Sequence, residues 1–101
     1  NVMAKLGGLC MPDNGYGYMH RDLPPSSDEI IETQGKWYAH MLDVFGPERC
    51  MFESNFPVDR TAVSYVVIWN AFKKMSAHLD DAARQALFSG TARRVYGLPP
   101  A

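Results

Sequence analysis

The side chains of this chain best suited to chemistry at neutral pH are Glu53 and Asn55, with Lys5, His20 and Arg21 as candidate partners. Glu53 and Asn55 stand two residues apart at the end of a short apolar run. In an extended strand that spacing turns both toward the same face. A carboxylate there can take a proton from water, and an amide can orient substrate or water but cannot serve as a base. Lys5 lies in the other apolar run, where its ammonium can hold a substrate anion or pair with Glu53. Of these two roles for Glu53, base or partner of Lys5, the pairing is favoured, because a charge inside a fold needs a partner. His20 and Arg21 sit together in a long loop, where an imidazole beside a guanidinium fork suits binding of a carboxylate or polarisation of a carbonyl. The plainer reading of the same two residues is a solvated loop pair.

Elements must hold these groups. Val2 to Leu6, closed by Gly7-Gly8, reads as a buried parallel strand ending at a turn. From Leu9 to Pro25 the chain is rich in Gly, Pro, Asp, Asn and aromatic residues without a period, and a loop of that length is usually functional. Tyr16, Tyr18 and Phe56 either line a pocket for an apolar substrate or pack the loops. Ser26-Ser27-Asp28-Glu29 is a capping box, with Ser26 and Glu29 each satisfying the other's backbone N–H. The helix it opens carries Ile30, Ile31, Gln34, Trp37, Tyr38, Met41, Leu42 and Phe45 as one stripe and stops at Gly46-Pro47, Gly46 as a left-handed cap. Gly35 within it would allow close packing on a strand. A second strand follows at Arg49–Ser54, parallel to the first because one helix joins them. Ala62 to Met75 repeats helically through Val63, Val67, Asn70 and Lys74, a further helix opened by Asp80 or Asp81 covers Ala82 to Phe88, and Thr91 to Tyr96 is a last turn. Asp59 is either a helix cap or a site residue.

The remaining composition narrows the class. A net charge of −1 with scattered Lys and Arg argues against nucleic acid as a partner. No apolar run approaches the roughly 18 residues that span a bilayer, and the start lacks a signal-peptide layout, so a cytoplasmic protein without membrane association is expected. Cys10 and Cys50 lack a metal or disulfide spacing and read as packing residues. His40 and His78 fall on helix surfaces or ends, and Ser54 has no His and Asp arrangement around it, so none of the three is a catalytic candidate. Two strands with their helices cannot cover a parallel sheet, so the chain is expected to be part of a larger α/β fold that it enters midway.

The stretches Asn1–Gly8, Phe45–Pro57 and Gly90–Leu98 resemble the end of the amidohydrolase superfamily, in its amidohydrolase-related branch. That resemblance implies a (β/α)8 TIM barrel, of which residues 1–98 would be the C-terminal portion, about strands seven and eight with their helices, and 99–101 a tail. It further implies a hydrolase of a small carboxylated or cyclic substrate, a lactone, amide or ester, or a related decarboxylase. The alternative is a catalytically impaired barrel that binds a small ligand. The family's eighth strand usually ends Gly-Ser-Asp-aromatic-Pro, with the Asp ligating metal or acting as base. Here that place reads Glu53-Ser54-Asn55-Phe56-Pro57, so Asn55 replaces the Asp and Glu53 the Gly. The resemblance allows a divalent metal, zinc, but Asn55 weakens that expectation, and no metal ligand is assigned on this chain. The family's His-x-His of strand one and its later histidines do not occur in this sequence, so this chain alone is not expected to catalyse. The expected partners are the small-molecule substrate and the N-terminal part of the barrel, with a homo-oligomer also compatible.

Overall fold

In the computed structural model, which describes residues 1–99, strand β1 (Ala4–Leu6) pairs in parallel with β2 (Cys50–Phe52). The register sets Ala4 against Cys50, Lys5 against Met51 and Leu6 against Phe52. Both strands are shorter than their apolar runs. The joining helix α1 spans Ser27–Phe45 and starts at the expected cap, with the Ser26 hydroxyl accepting from the Glu29 N–H at 3.1 Å. The reciprocal half of the box does not form. The Glu29 carboxylate instead pairs with Arg21, a cation that outcompetes a backbone amide for it.

Helix α2 (Tyr65–Met75) follows β2, and its cap is Ser64, which accepts from the Val67 N–H at 3.2 Å. Ala62 and Val63 therefore lie ahead of the helix, buried in the turn that leads to it. The buried face of α2 is Ile68, Ala71 and Phe72, one step away from the expected stripe, and Val66 is exposed. In so apolar a helix, periodicity leaves the direction of the core undecided. Asp80 caps α3 (Asp81–Gln85), and α3 runs through a π-turn (Ala86–Gly90) into α4 (Thr91–Tyr96) with right-handed helical angles at both junctions. The expected break before Thr91 is absent, and of the expected tail, residues 100 and 101 lie outside the described residues.

The core lies on one face of the sheet. Ala4, Leu6, Cys50 and Phe52 point to it and meet Leu9, Ile30, Leu42, Ile68, Phe72 and Leu87. Phe52 stacks on Phe72 at 4.5 Å and meets Phe88 edge-on at 5.0 Å, so truncating fully buried Phe72 to Ala would cost about 3–5 kcal/mol. Trp37, by contrast, is exposed although it belongs to the apolar stripe of α1. A Cβ at Gly35 would touch only the Ile31 side chain of its own helix, so that glycine does not serve strand packing. Gly46 has φ 78° and ψ 157°, outside the left-handed helical basin, and passes the chain straight into the short helical turn Pro47–Arg49. Both cysteines are free and buried.

Candidate functional site

Residue 53 lies two beyond Met51, the register partner of Lys5, so Glu53 and Lys5 share the sheet face opposite the core. The Glu53 N–H donates to the Leu6 carbonyl at 3.0 Å and continues the ladder one residue past β2. From there the Glu53 carboxylate reaches Lys5 Nζ at 2.8 Å, as strand parity predicts. Gly7 makes room: a Cβ on it would lie 2.1 Å from Glu53 Cγ and 2.6 Å from the Glu53 carbonyl oxygen. The Lys5 pKa is raised, first by its hydrogen bond to Glu53, then by the charge of Glu53, and further by Tyr96. Because half of the Lys5 side chain and a third of that of Glu53 remain exposed, solvent screens the pair.

Past Glu53 the backbone turns sharply. Asn55 has φ 57°, a left-handed angle that Asn tolerates better than most residues, and a cis Phe56-Pro57 bond follows. The Asn55 carbonyl accepts from the Asp59 N–H at 3.1 Å, closing the turn. Asp59 is fully buried within the short helical turn Val58–Thr61. One of its carboxylate oxygens accepts from Asn55 Nδ2 at 2.9 Å and the other from the Cys10 backbone N–H at 3.1 Å. It caps no helix; it joins the segment after β1 to the segment after β2. Burial pushes the Cys10 thiol up to about 12, with the charge of Asp59 adding to the rise.

The loop after β1 is anchored by α1. Gln34 Nε2 donates to the Leu9 carbonyl at 2.6 Å and the Tyr38 hydroxyl to the Gly7 carbonyl at 3.0 Å. Burial, then the charge of Asp59, raises the Tyr38 phenol to about 12. Tyr18 shares a hydrogen bond with Thr33 Oγ1 at 2.9 Å and stacks on Tyr16 at 5.6 Å. These aromatic residues therefore pack the loop, whereas Phe56 meets Tyr65 edge-on. Arg21 pairs with Glu29 and lies over the Tyr18 ring, and His20 is exposed. Among the described residues, no hydrogen bond or ion pair joins His20 or Arg21 to Lys5, Glu53 or Asn55. A cleft of about 380 Å³ runs between β1 and α1, lined by Lys5, Gly7, Tyr16, Trp37 and Tyr38 but by nothing from β2. Asn55 does not line it.

Sequence reasoning missed two site-shaping residues. The sequence offers Asp59 as either a cap or a site residue and Gln34 as part of an apolar stripe, whereas Asp59 holds Cys10 and Asn55 and Gln34 holds the Leu9 carbonyl. The available signal was the same for both, a polar side chain at a position surrounded by core residues, which must find a partner when buried.

The donor set of the described residues does not compose a metal centre. Among the described residues no three His, Cys, Asp or Glu side chains cluster, Glu53 is paired with Lys5, and both Asp59 oxygens are occupied. Among the described residues no helix is long and apolar enough to cross a membrane.

Comparison with known proteins places this arrangement. An L-fucono-1,5-lactonase of Burkholderia multivorans is 44% identical over 100 residues, which cover 98% of this chain and 31% of that protein. An uncharacterized protein, y4mH, of Sinorhizobium fredii is 36% identical over 95% of this chain and 28% of its own length. The chain thus spans about a third of the curated relatives it matches. A crystal structure of a Burkholderia multivorans amidohydrolase with bound zinc superposes with a TM-score of 0.79 at 33% identity, over 97% of this chain and 32% of that one. A second crystal form of an amidohydrolase from the same organism, with bound HEPES, matches equally. The family model for amidohydrolases matches residues 1–98, and the chain belongs to the amidohydrolase family, with the TIM-barrel architecture that membership carries.

Proposed function

We propose that the protein carrying this chain hydrolyses a small cyclic ester, with β1 and β2 as the seventh and eighth strands of its barrel and Asn55 facing the substrate at the end of β2. The observation that carries this reading is the strand end itself. Asn55 stands at the residue where a barrel strand delivers its functional side chain, and its amide is held rigidly by a buried carboxylate. The likeness to a lactonase supports a lactone as substrate. Hydrolysis of a lactone adds water across the acyl C–O bond, giving a carboxylate and a free hydroxyl. Asn55 contributes orientation of the attacking water or of the substrate, since an amide takes up no proton.

Glu53 is the structural partner of Lys5 in this reading, and neither side chain is left free to bind substrate anions. His20 and Arg21 belong to the loop that borders the site, with Arg21 fastening that loop to α1 through Glu29.

The test is turnover of a panel of lactones and aromatic carboxylates by the full-length protein, with and without chelator. Lactone opening is the expected result. Binding of panel members without turnover would support a ligand-binding barrel instead, and loss of carboxylate carbon as CO₂ a decarboxylase. Glu53→Gln decides the role of Glu53, because loss of a general base lowers the rate by about 10²–10⁴-fold and loss of a structural pairing with Lys5 does not. A fall of that size would make Glu53 the base.

A further inference from the structure

We propose that Asp59 is a positioning residue that decides which end of the Asn55 amide faces the site. The proposal rests on Asn55 being a site residue and adds to it the chemical sense in which Asn55 acts. An amide has a donor end and an acceptor end of nearly the same shape, and either can point outward until a neighbour selects one. A carboxylate offers only acceptors, so the atom of Asn55 that lies 2.9 Å from Asp59 is Nδ2. The other oxygen of Asp59 is held by the Cys10 backbone N–H, which cannot reverse its polarity. Asn55 Oδ1 is then the outward end. Among the described residues it takes no donor, and it is not among the buried polar atoms that lack a partner. Asn55 thus presents an acceptor to a water proton or a substrate hydroxyl. Asp59, fully buried, touches neither.

The chain of polarities predicts what each substitution does. In Asp59→Asn the new amide must turn its oxygen to the Cys10 N–H and its NH₂ to Asn55, so Asn55 flips and shows its NH₂ to the site. No hydrogen bond is lost and no volume changes. In Asn55→Asp two carboxylates face each other, and like charges so close destabilise the site. In the double variant Asn55→Asp/Asp59→Asn the amide at 59 donates to the carboxylate at 55, whose other oxygen faces outward, and the acceptor returns.

The experiment uses full-length protein labelled with ¹⁵N-asparagine, with lactone kinetics in parallel. Wild type is expected to show slowed solvent exchange of the Asn55 side-chain NH₂. Asp59→Asn should keep a thermal midpoint close to wild type, lose that protection, and fall about 10²-fold in kcat with KM little changed, as for a misplaced positioning contact. The double variant should recover most of the lost kcat, and its midpoint should exceed that of Asn55→Asp alone. A merely structural Asp59 would give the opposite pattern, a lowered midpoint in Asp59→Asn with kcat intact. Unchanged Asn55 exchange in folded Asp59→Asn, wild-type kcat in that variant, or a double variant no faster than Asp59→Asn would each overturn the proposal. Absence of lactone turnover by wild type would sink the proposed function, and amide exchange together with the order of midpoints would then decide the role of Asp59.

Discussion

Two carboxylates lie six residues apart at the end of β2, and their surroundings give them opposite characters. Glu53 meets a full positive charge, Lys5 Nζ at 2.8 Å, yet both side chains remain open to water. Asp59 meets no cation among the described residues, only two N–H groups at 2.9 and 3.1 Å, but it is fully buried. In this chain water reaches the first interaction and cannot replace the second. The formally weaker contacts therefore hold the fold more firmly, because the Cys10 N–H facing Asp59 is a buried backbone donor with no other acceptor.

The comparison can be broken most directly by removing the buried carboxylate. Asp59→Ala leaves the buried Cys10 N–H without an acceptor, at about 1–3 kcal/mol for a donor stranded in the interior, and frees the part-buried Asn55 amide to turn. Chemical denaturation of the full-length protein should show a loss of that order. A loss as small as that of Lys5→Met would mean that water enters the turn and that burial is not what separates the two carboxylates.

Gly7→Ala is the next largest effect and acts on the Glu53 side. The added Cβ would lie 2.6 Å from the Glu53 carbonyl oxygen as well as 2.1 Å from its Cγ, so the backbone must shift and not only a flexible side chain. Overpacking of this kind costs about 1–3 kcal/mol. The same denaturation measurement checks it, and an unperturbed midpoint would show that the strand ends separate freely.

Alkaline pH should distinguish the regions without mutation. The Cys10 thiol and the Tyr38 phenol are both raised to about 12 in the fold, so the unfolded chain releases these protons first as pH rises. Stability is then lost progressively from the ordinary thiol range up to about pH 12. Lys5 contributes in the same direction over a higher window: its raised pKa stabilises the fold below the unfolded value near 10.5 and stops doing so as pH passes the folded one. Replacing Cys10 with Ala should remove the early part of the decline, read as thermal midpoint against pH. An unchanged curve would show that Cys10 does not carry it.

The smallest effect belongs to the ion pair. Lys5→Met should move the thermal midpoint little, and less again in high salt, where an exposed pair is already screened. A large, salt-independent loss would show that the rest of the protein buries this face and would bring Glu53 into line with Asp59.

By itself the sequence determined what depends on near neighbours along the chain. The Ser26 cap, the extent of α1, the parallel pairing of β1 with β2 and the common face of Lys5 and Glu53 all follow from periods of 3.6 or 2 residues and from a helical crossover. The stretches around Gly7-Gly8, Glu53–Pro57 and Gly90–Leu98 carried the family in the sequence alone. Tertiary structure decided the rest. Which side of α2 is buried, that Glu29 takes Arg21 instead of closing its capping box, and that Asp59 joins Cys10 to Asn55 all depend on groups far apart in sequence. Cys10 and Asp59 are separated by 49 residues, and no local pattern can state their distance. A buried polar group announces that it needs partners, but only the packed fold supplies their identity.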